Sequence, residues 1–144
     1  MSLPSALSHD DLAELRHLLA LFAHVFDNGD LDGLEEVFAE DGVIVLAGPG
    51  REFHGLEAIR EFNRSLGDRS PDHHTLDTVF TVDAADPYGT VRAHSRYLAL
   101  LPDGSVHNGD YLDVLVRTPK GWRIAHRRSV PRYPVASTGP VGVR

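Results

Sequence analysis

The sequence predicts an α+β domain in which helices come first and an antiparallel sheet follows. Up to Gly67, apolar residues recur every three or four positions, which is the period of a helix. After Pro71 the period changes to two, which is the period of a strand. Turn residues divide this second part into four strands joined by three hairpins, and helices followed by strands are typical of an α+β fold.

Three helices are predicted in the first half of the chain. The first begins at Ser8, a residue type that caps helices, and ends at Asn28-Gly29, a typical left-handed stop. Its apolar face is formed by Leu12, Leu15, Leu18, Leu19, Phe22, Val25 and Phe26. The second helix follows Asp30, and its apolar face is formed by Leu31, Leu34, Val37 and Phe38. The third helix carries Leu56, Ile59, Phe62 and Leu66 and ends at Gly67.

The predicted sheet follows a turn at Asp41-Gly42. Its strands are expected at residues 43–47, 52–53, 73–82, 90–101, 105–117 and 122–130. Such a sheet should curl over the helices into a cone with a closed apolar end and an open mouth. A hollow of this kind is where small ligands usually bind.

Length and composition fit one soluble domain. The 144 residues predict a single domain over 8–130, with flexible or partner-bound tails at 1–7 and 131–144. The absence of cysteine excludes disulfides, thiolate zinc sites and thiol nucleophiles. No apolar run approaches the roughly 20 residues that span a bilayer, and no secretory signal is visible. We therefore expect a cytoplasmic protein without a membrane partner.

Charge and surface pattern indicate the kind of partner. The net charge of −7 disfavours nucleic acid, whose binding depends on neutralising phosphates with Lys and Arg, so a small-molecule ligand is expected instead. Leu98 and Leu100 fall on the outer face of the predicted sheet, and an apolar patch there favours contact with a second copy. We expect a homodimer or homotrimer.

Two adjacent histidines, His73 and His74, open the first long strand. Adjacent strand residues point to opposite faces, which disfavours a metal ion bound by both. Asp77 shares a predicted face with His73, but four strand residues span about 13 Å. The chain also lacks a His-Glu-x-x-His motif, and we expect neither a metal nor a cofactor. A proton-transfer partner for the histidine must come from elsewhere, and the candidate is Asp27 at the end of the first helix, unless Asp27 only forms the turn there.

Three stretches resemble the SnoaL-like branch of the nuclear transport factor 2-like superfamily. They read FDNGDLDGLEEVFAEDGVIV, HHTLDTVFTVD and GDYLDVLVRTPKGWRIAHRRSV, and the resemblance covers about residues 8 to 130. The chain looks most similar to the group that contains scytalone dehydratase, bile-acid 7α-dehydratase and hexachlorocyclohexane dehydrochlorinase. The resemblance implies a cone-shaped α+β fold and a cofactor-independent lyase or isomerase acting on a small apolar molecule.

The resemblance also implies a catalytic set. In the lyases of this group, an aspartate ending the first helix pairs with a histidine that opens the first long strand, and Asp27 and His73 occupy these positions. Arg127 matches an arginine of the last strand in dehydrochlorinase-like members. An imidazole oriented by a carboxylate is a general base, and an arginine can stabilise a leaving anion or an enolate. The dehydratases often carry a tyrosine five residues before the aspartate, where this chain has Phe22.

Five residues are expected to line the pocket: Phe22, Tyr97, Tyr111, Asp113 and Phe53. Tyr97 is a candidate for the hydroxyl that Phe22 lacks, although a wall residue is the simpler interpretation. Asp113 is either a pocket residue or a structural partner of Arg127 or Arg128.

Three further functions remain open at this point. Phe22 in place of tyrosine favours a non-catalytic ligand-binding protein. The small subunit of a ring-hydroxylating oxygenase and an epoxide hydrolase are weaker alternatives, because such subunits are usually longer and the acids form no clear Asp-Arg-Asp set. The fold itself does not choose among these functions.

Overall fold

Two α-helices pack against a mixed sheet of six strands. The computed structural model describes residues 7–83, 85–86 and 89–134. The helices are α1 (His9–Asp27) and α2 (Leu56–Leu66), and the strands are β1 (Phe38–Leu46), β2 (Arg51–His54), β3 (Asp72–Val82), β4 (Val91–Leu100), β5 (Val106–Thr118) and β6 (Gly121–Tyr133). Single 3₁₀ turns cover Gly33–Glu36 and Gly67–Arg69. The predicted α+β class is confirmed, and helices do precede the four long strands.

The strand order in the sheet is β2-β1-β6-β5-β4-β3. Strands β3 to β6 form the predicted antiparallel meander, β1 extends the sheet by pairing parallel with β6, and β2 pairs antiparallel with β1 at the edge. Helix α1 contacts β3 and β6, whereas α2 contacts β1 and β2. The two helices thus cover opposite ends of one sheet face, and the core between them is continuous.

Local signals define α1 at both ends. The Ser8 hydroxyl accepts a hydrogen bond from the Asp11 backbone N–H at 3.0 Å, and the Asp11 carboxylate accepts one from the Ser8 N–H at 3.1 Å. This reciprocal capping box satisfies two amides that the first helical turn leaves free. At the other end, Gly29 has a φ of 64°, a left-handed conformation that costs glycine little. The whole predicted apolar face of α1 is buried.

The prediction of a second helix after Asp30 is wrong. The chain from Leu31 forms only the 3₁₀ turn Gly33–Glu36, and Phe38 already belongs to β1. The spacing of three between Leu31, Leu34 and Val37 suits a 3₁₀ repeat as well as an α-helix. The Val37 carbonyl accepts a hydrogen bond at 2.8 Å from the backbone N–H of Ile124 on β6. Backbone pairing of this segment with β6 therefore prevents the 3₁₀ turn from extending into a longer helix.

Two strands differ at their ends from the prediction. The segment around Gly42 was predicted as a turn but lies inside β1, where the pairing with β6 shifts register. A Cβ at Gly42 would lie 2.9 Å from the Ala39 carbonyl oxygen, so the close packing of this irregular strand requires glycine. Strand β6 continues to Tyr133, three residues beyond the predicted end of the domain, and residues 135–144 of the predicted tail lie outside the described residues.

Alternation along β4 identifies the inner face of the sheet. Val91, Ala93, Ser95, Tyr97 and Ala99 are buried. The residues between them are exposed or half-buried, including His94 and Arg96, which contact Asp110 on the outer face. The predicted inner position of Tyr97 is thereby confirmed.

A bulge in β3 reverses the alternation of its side chains. The pairing with β4 changes register between Leu76 and Val79, and Asp77 has a φ of 53°. His73 before the bulge and Phe80 after it both point inward, although strict alternation would place them on opposite faces. Asp77 is exposed, so the prediction that it shares the face of His73 is wrong. None of the helices described for this chain is long and apolar enough to cross a membrane.

Candidate functional site

The end of α1 meets the start of β3 through Asp27 and His73. Oδ2 of Asp27 accepts a hydrogen bond from the backbone N–H of His73 at 2.6 Å, and Oδ1 lies 2.5 Å from ring Nδ1 of the same residue. Their side chains are only 10% and 14% exposed, respectively. An ionised carboxylate only accepts hydrogen bonds, so the Asp27 carboxylate favours the tautomer of His73 that carries its proton on Nδ1. The other ring nitrogen, Nε2, makes no hydrogen bond to any described residue.

A side chain of helix α2 donates a hydrogen bond to the backbone carbonyl of Phe26, the residue that precedes Asp27. Nδ2 of Asn63 donates a hydrogen bond to the Phe26 carbonyl at 2.8 Å, and Asn63 is buried. The last carbonyls of a helix have no partner within the helix, so a side-chain donor stabilises this end. The rings of Phe22 and Phe26 lie against the imidazole of His73, with centroid distances of 5.8 and 6.1 Å. The imidazole is therefore confined on several sides.

Arg127 and Asp113 form a second buried pair. Nε and Nη2 of Arg127 donate to the two carboxylate oxygens of Asp113 at 2.8 and 2.7 Å, and both side chains are almost fully buried. The guanidinium lies between two rings, 4.2 Å from the centroid of Phe22 and 3.9 Å from that of Tyr111. Burial acts to lower the pKa of Arg127, but the Asp113 carboxylate outweighs it, and the pKa is raised. The pair is therefore ionic.

A bulge on β6 turns Arg127 inward. Leu115 pairs with Ile124 and Val114 pairs with His126, so Ala125 is an extra residue between them. Without it, alternation from the buried Ile124 would place Arg127 on the outer face of the sheet. The bulge puts Arg127 opposite Asp113 on the inner face instead.

One member of each pair, His73 and Arg127, lines one small cavity. Its volume is about 190 Å³. The lining residues are Phe22, Phe26, Ile44, Leu46, Phe62, Leu66, Pro71, His73, Tyr111, Arg127 and Ser129. Most of this wall is apolar, and the polar groups come from His73, Tyr111, Arg127 and Ser129. An apolar hollow with a few convergent polar groups is the usual form of a small-molecule site.

Tyr111 contributes a hydroxyl that stays protonated. Burial raises the pKa of Tyr111 far above its ordinary value, although the nearby Arg127 cation opposes this. The ring of Tyr97 stacks on that of Tyr111 with a centroid distance of 4.6 Å. Burial also raises the pKa of Tyr97, against the opposing effect of a hydrogen bond with Ser129. Both phenols can therefore act as neutral hydrogen-bond donors at physiological pH.

The predicted site residues fall into two groups. Four of them line the cavity: Phe22, His73, Tyr111 and Arg127. The other four do not line the cavity, but each contacts a residue that does: Asp27, Asp113, Tyr97 and Phe53. Asp27 supports His73 and Asp113 supports Arg127, whereas Tyr97 supports Tyr111. Phe53 was predicted as pocket wall but stacks on Phe62, centroid to centroid 4.1 Å, and Phe62 takes the place at the cavity.

Several lining residues were absent from the predicted set. Phe26 lies one helical turn from Phe22, so the same apolar stripe could have identified it. Ser129 lies two strand residues from Arg127 and hence on the same face. Ile44 and Leu46 could not be found in this way, because they pair with Arg127 and Ser129 through the parallel contact of β1 with β6. Asn63 does not line the cavity but binds the carbonyl of Phe26 behind it, and its position in a helix gave no indication of this contact.

Larger grooves lie on the surface but lack these features. One of about 590 Å³ runs between α1 and the β5–β6 turn, and one of about 850 Å³ lies beside β1 and α2. The second groove has acidic side chains, including Glu40 and Glu57. Across the described ranges, no three His, Asp or Glu side chains are grouped so that they could hold a metal ion. The small cavity is therefore the candidate site.

Comparisons with known proteins concern nearly the whole chain. The family model described as a SnoaL-like domain matches residues 8–128. Among curated proteins, none matches significantly. A candidate aromatic ring hydroxylase of Novosphingobium aromaticivorans is 26% identical, with a TM-score of 0.70, and the match covers 92% of this chain and 96% of that one.

Two further solved structures are similar. Aln2 of a Streptomyces species is 27% identical, with a TM-score of 0.71 and coverage of 90% and 94%. A candidate scytalone dehydratase of Novosphingobium aromaticivorans is 17% identical, with a TM-score of 0.67 and coverage of 92% and 94%. At this lower identity the likeness concerns the fold alone.

Proposed function

Since this chain belongs to the SnoaL-like family, as the match over residues 8–128 shows, we propose that it is a cofactor-independent lyase or isomerase. In this proposal His73, oriented by Asp27, abstracts a proton from a small ring-shaped substrate in the 190 Å³ cavity. The observation that carries it is the contact of 2.5 Å between Asp27 Oδ1 and His73 Nδ1 at the cavity wall. One similar protein is a candidate aromatic ring hydroxylase, which agrees with a ring-shaped substrate.

The proton moves to Nε2 of His73. Asp27 fixes the tautomer with the proton on Nδ1, so that the lone pair of Nε2 faces the ligand side. When Nε2 takes the proton, the imidazolium that forms is stabilised by the adjacent carboxylate. A positioned general base of this kind contributes typically about 10²–10⁴-fold to a rate. Asp27 touches no substrate in this scheme and acts as a positioning residue.

Arg127 and Tyr111 stabilise the negative charge that develops as the bond breaks. Both line the cavity, and both are hydrogen-bond donors that stay protonated. Abstraction of a proton beside a carbonyl produces an enolate oxygen, and elimination produces a leaving anion. Either species is stabilised by donors already in place before the reaction, and such stabilisation supplies most of the rate enhancement in many enzymes. Tyr111 thus supplies the hydroxyl that is missing at Phe22.

The experiment uses a neutral probe of proton abstraction, 5-nitrobenzisoxazole. Nε2 takes the proton on the ring carbon, the electron pair of that C–H bond forms a nitrile, and the N–O bond breaks to release a coloured phenolate. We expect the wild-type protein to catalyse this elimination faster than free imidazole at the same concentration. His73→Ala should lower the rate by about 10²-fold or more, and Asp27→Asn by a smaller factor.

His74→Ala is the matched control. His74 is adjacent in sequence and exposed, so this variant removes an imidazole without touching the cavity. It should retain the wild-type rate. If wild-type protein is no faster than imidazole, or if the His73 and His74 variants are equally active, the proposed base is wrong.

Phe22 favours a second candidate function, binding of a ligand without turnover. Its ring fills the position where the dehydratases that the chain resembles often carry a phenol. A ligand that copurifies with the protein and is recovered unchanged after long incubation would support this function. Conversion of that ligand by wild-type protein, and not by His73→Ala, would favour the lyase or isomerase.

A further inference from the structure

An asparagine followed by a glycine, Asn28-Gly29, ends α1 directly after Asp27. Asparagine is one of the thermally labile residue types. The backbone nitrogen of the following residue can attack the side-chain amide carbon, and a glycine carries no Cβ that hinders this approach. The same dipeptide occurs at Asn108-Gly109 in β5. The fold therefore places two identical dipeptides in different surroundings.

The pair at the end of α1 is open to solvent. Asn28 and Gly29 are both exposed, and a Cβ built on Gly29 would meet no atom within 4 Å. The Asn28 side chain makes no hydrogen bond to any described residue. Its amide can therefore turn toward the Gly29 nitrogen without displacing a neighbouring group.

The attacking nitrogen is held only by the turn that ends the helix. The Gly29 N–H donates to the Phe26 carbonyl at 3.2 Å, and the Asp30 N–H donates to the Val25 carbonyl at 3.0 Å. Nδ2 of Asn63 donates to the Phe26 carbonyl at the shorter distance of 2.8 Å, so this carbonyl keeps a partner when the Gly29 amide turns away. An intramolecular hydrogen bond contributes about 0.5–1.5 kcal/mol. The turn can therefore open locally while the rest of the protein stays folded.

The pair in β5 is held on both sides by the sheet. Asn108 pairs with Leu98 on β4 and with Tyr133 on β6. Gly109 is buried, and a Cβ built on it would lie only 2.3 Å from the Val130 carbonyl oxygen. Turning this peptide toward the asparagine side chain would break the pairing of β5 with its neighbours. The sheet therefore protects this second asparagine.

We propose that Asn28 is a site of spontaneous deamidation that changes the helix end carrying Asp27. The Gly29 nitrogen loses its proton to water and bonds to Cγ of Asn28, and the side-chain nitrogen leaves as ammonia. The product is a five-membered succinimide ring, which water opens at either carbonyl. Breaking the new bond from nitrogen to Cγ gives aspartate. Breaking the original peptide bond gives isoaspartate, in which the main chain runs through Cβ and Cγ.

Both products weaken the end of α1 at the residue that follows Asp27. Each adds a negative charge at the C-terminus of a helix, where the helix dipole disfavours it by about 0.3–1 kcal/mol. Isoaspartate also adds a methylene to the main chain, which moves the next amides out of register with the last carbonyls of α1. Asp27 is then held less firmly against His73. Its consequence for catalysis rests on the proposed function, whereas the modification itself does not.

The test is an incubation of folded wild-type protein at mildly alkaline pH and body temperature. Mass spectrometry of peptides follows deamidation at each asparagine, and methylation by an isoaspartyl methyltransferase measures isoaspartate. Asn28 should convert at least about tenfold faster than Asn108, because only the turn at Asn28 opens locally. In urea the two rates should become similar, because the sheet no longer protects Asn108. Equal rates in the folded protein, or an undiminished difference in urea, would overturn the proposal.

Asn28→Gln is the matched control. It keeps an exposed amide at the same position, but its longer side chain must close a six-membered ring. Conversion at position 28 should therefore fall about tenfold or more, because the reacting atoms are less well placed. Before incubation, this variant should have the stability and the elimination rate of wild-type protein. Conversion of Asn28→Gln at the wild-type rate would contradict attack by the Gly29 nitrogen.

Ion exchange separates the isoaspartate form from unconverted protein. The isoaspartate form should unfold at a lower urea concentration, and the ¹⁵N shifts of His73 should show a weaker preference for a proton on Nδ1. It should also eliminate 5-nitrobenzisoxazole more slowly. The first two measurements do not depend on catalysis, so they stay decisive if the proposed function fails. An isoaspartate form with wild-type stability and wild-type ¹⁵N shifts would show that position 28 does not control Asp27.

Discussion

Asn63 on α2 donates a hydrogen bond of 2.8 Å to the carbonyl of Phe26, the residue that precedes Asp27 on α1. The contact joins the two helices at the point from which the carboxylate reaches His73. Replacing Asn63 by leucine keeps a similar volume but removes this donor, and the carbonyl keeps only the longer bond of 3.2 Å from the Gly29 backbone N–H. We expect Asn63→Leu to lower the free energy of unfolding in urea by about 0.5–1.5 kcal/mol, and to slow elimination of 5-nitrobenzisoxazole because Asp27 is less well placed.

Ser65→Ala is the control for the Asn63 variant. It removes an exposed hydroxyl from the same helix, and its effect on stability should stay within about 0.5 kcal/mol. Equal stabilities of Asn63→Leu and Ser65→Ala would mean that the Asn63–Phe26 contact does not hold the end of α1.

The Asp27 carboxylate determines the tautomer of His73. In wild-type protein labelled with ¹⁵N in histidine, neutral His73 should carry its proton on Nδ1, because the facing carboxylate only accepts. Asp27→Asn replaces one acceptor by an amide that can also donate, and the preference should weaken or reverse. The ¹⁵N shifts of the two ring nitrogens measure this directly. Exposed His74 gives an internal reference, and a wild-type His73 protonated on Nε2 would contradict the assignment.

The Arg127–Asp113 pair should respond differently to single and double substitution. Asp113→Asn leaves a buried cation without its anion, and we expect a loss of about 3–5 kcal/mol in the free energy of unfolding. Arg127→Met with Asp113→Leu removes both charges and should be nearly neutral or stabilising. Urea denaturation of the three proteins is the measurement. A single variant as stable as the double variant would show that the buried charges are not coupled.

Asp11 links the stability of α1 to pH. The backbone N–H of Ser8 lowers the pKa of Asp11 most, opposed by burial and assisted by the Ser8 hydroxyl and Arg117, from 3.8 to about 2. Because the folded value lies below the unfolded one, the stabilisation is complete above about pH 4. It is lost as the pH falls through about 2, where the folded protein also takes up the proton.

The comparison of Asp11→Asn with wild-type protein measures this effect. The variant should be less stable near neutral pH, and the difference should shrink steadily below about pH 4. Asp10→Asn removes the same charge from the same helical turn, but the Asp10 side chain makes no hydrogen bond to any described residue. Its stability relative to wild type should change less with pH, and a constant difference for Asp11→Asn would refute the assignment.

The sequence predicted most accurately the elements that local interactions define. The capping box of Ser8 and Asp11 and the stop at Gly29 lie within a few residues of the helix ends that they define, so the bounds of α1 follow from sequence alone. The hairpins of the meander likewise follow from turn residues and a period of two. The helix predicted after Asp30 does not form, because the backbone of β6, far along the chain, donates a hydrogen bond to this segment.

The sequence alone determined the α+β class and the antiparallel meander. Through the resemblance to the SnoaL-like branch, it also indicated which aspartate and which histidine form the candidate site. Only the tertiary structure decided which side chains reach the cavity. Alternation counted from Ile124 would place Arg127 on the outer face, and the single extra residue Ala125 reverses this. A strand repeats every two residues, so one inserted residue changes the face of every side chain beyond it. The free energy that selects such a bulge comes from neighbouring strands and helices, which no local pattern contains.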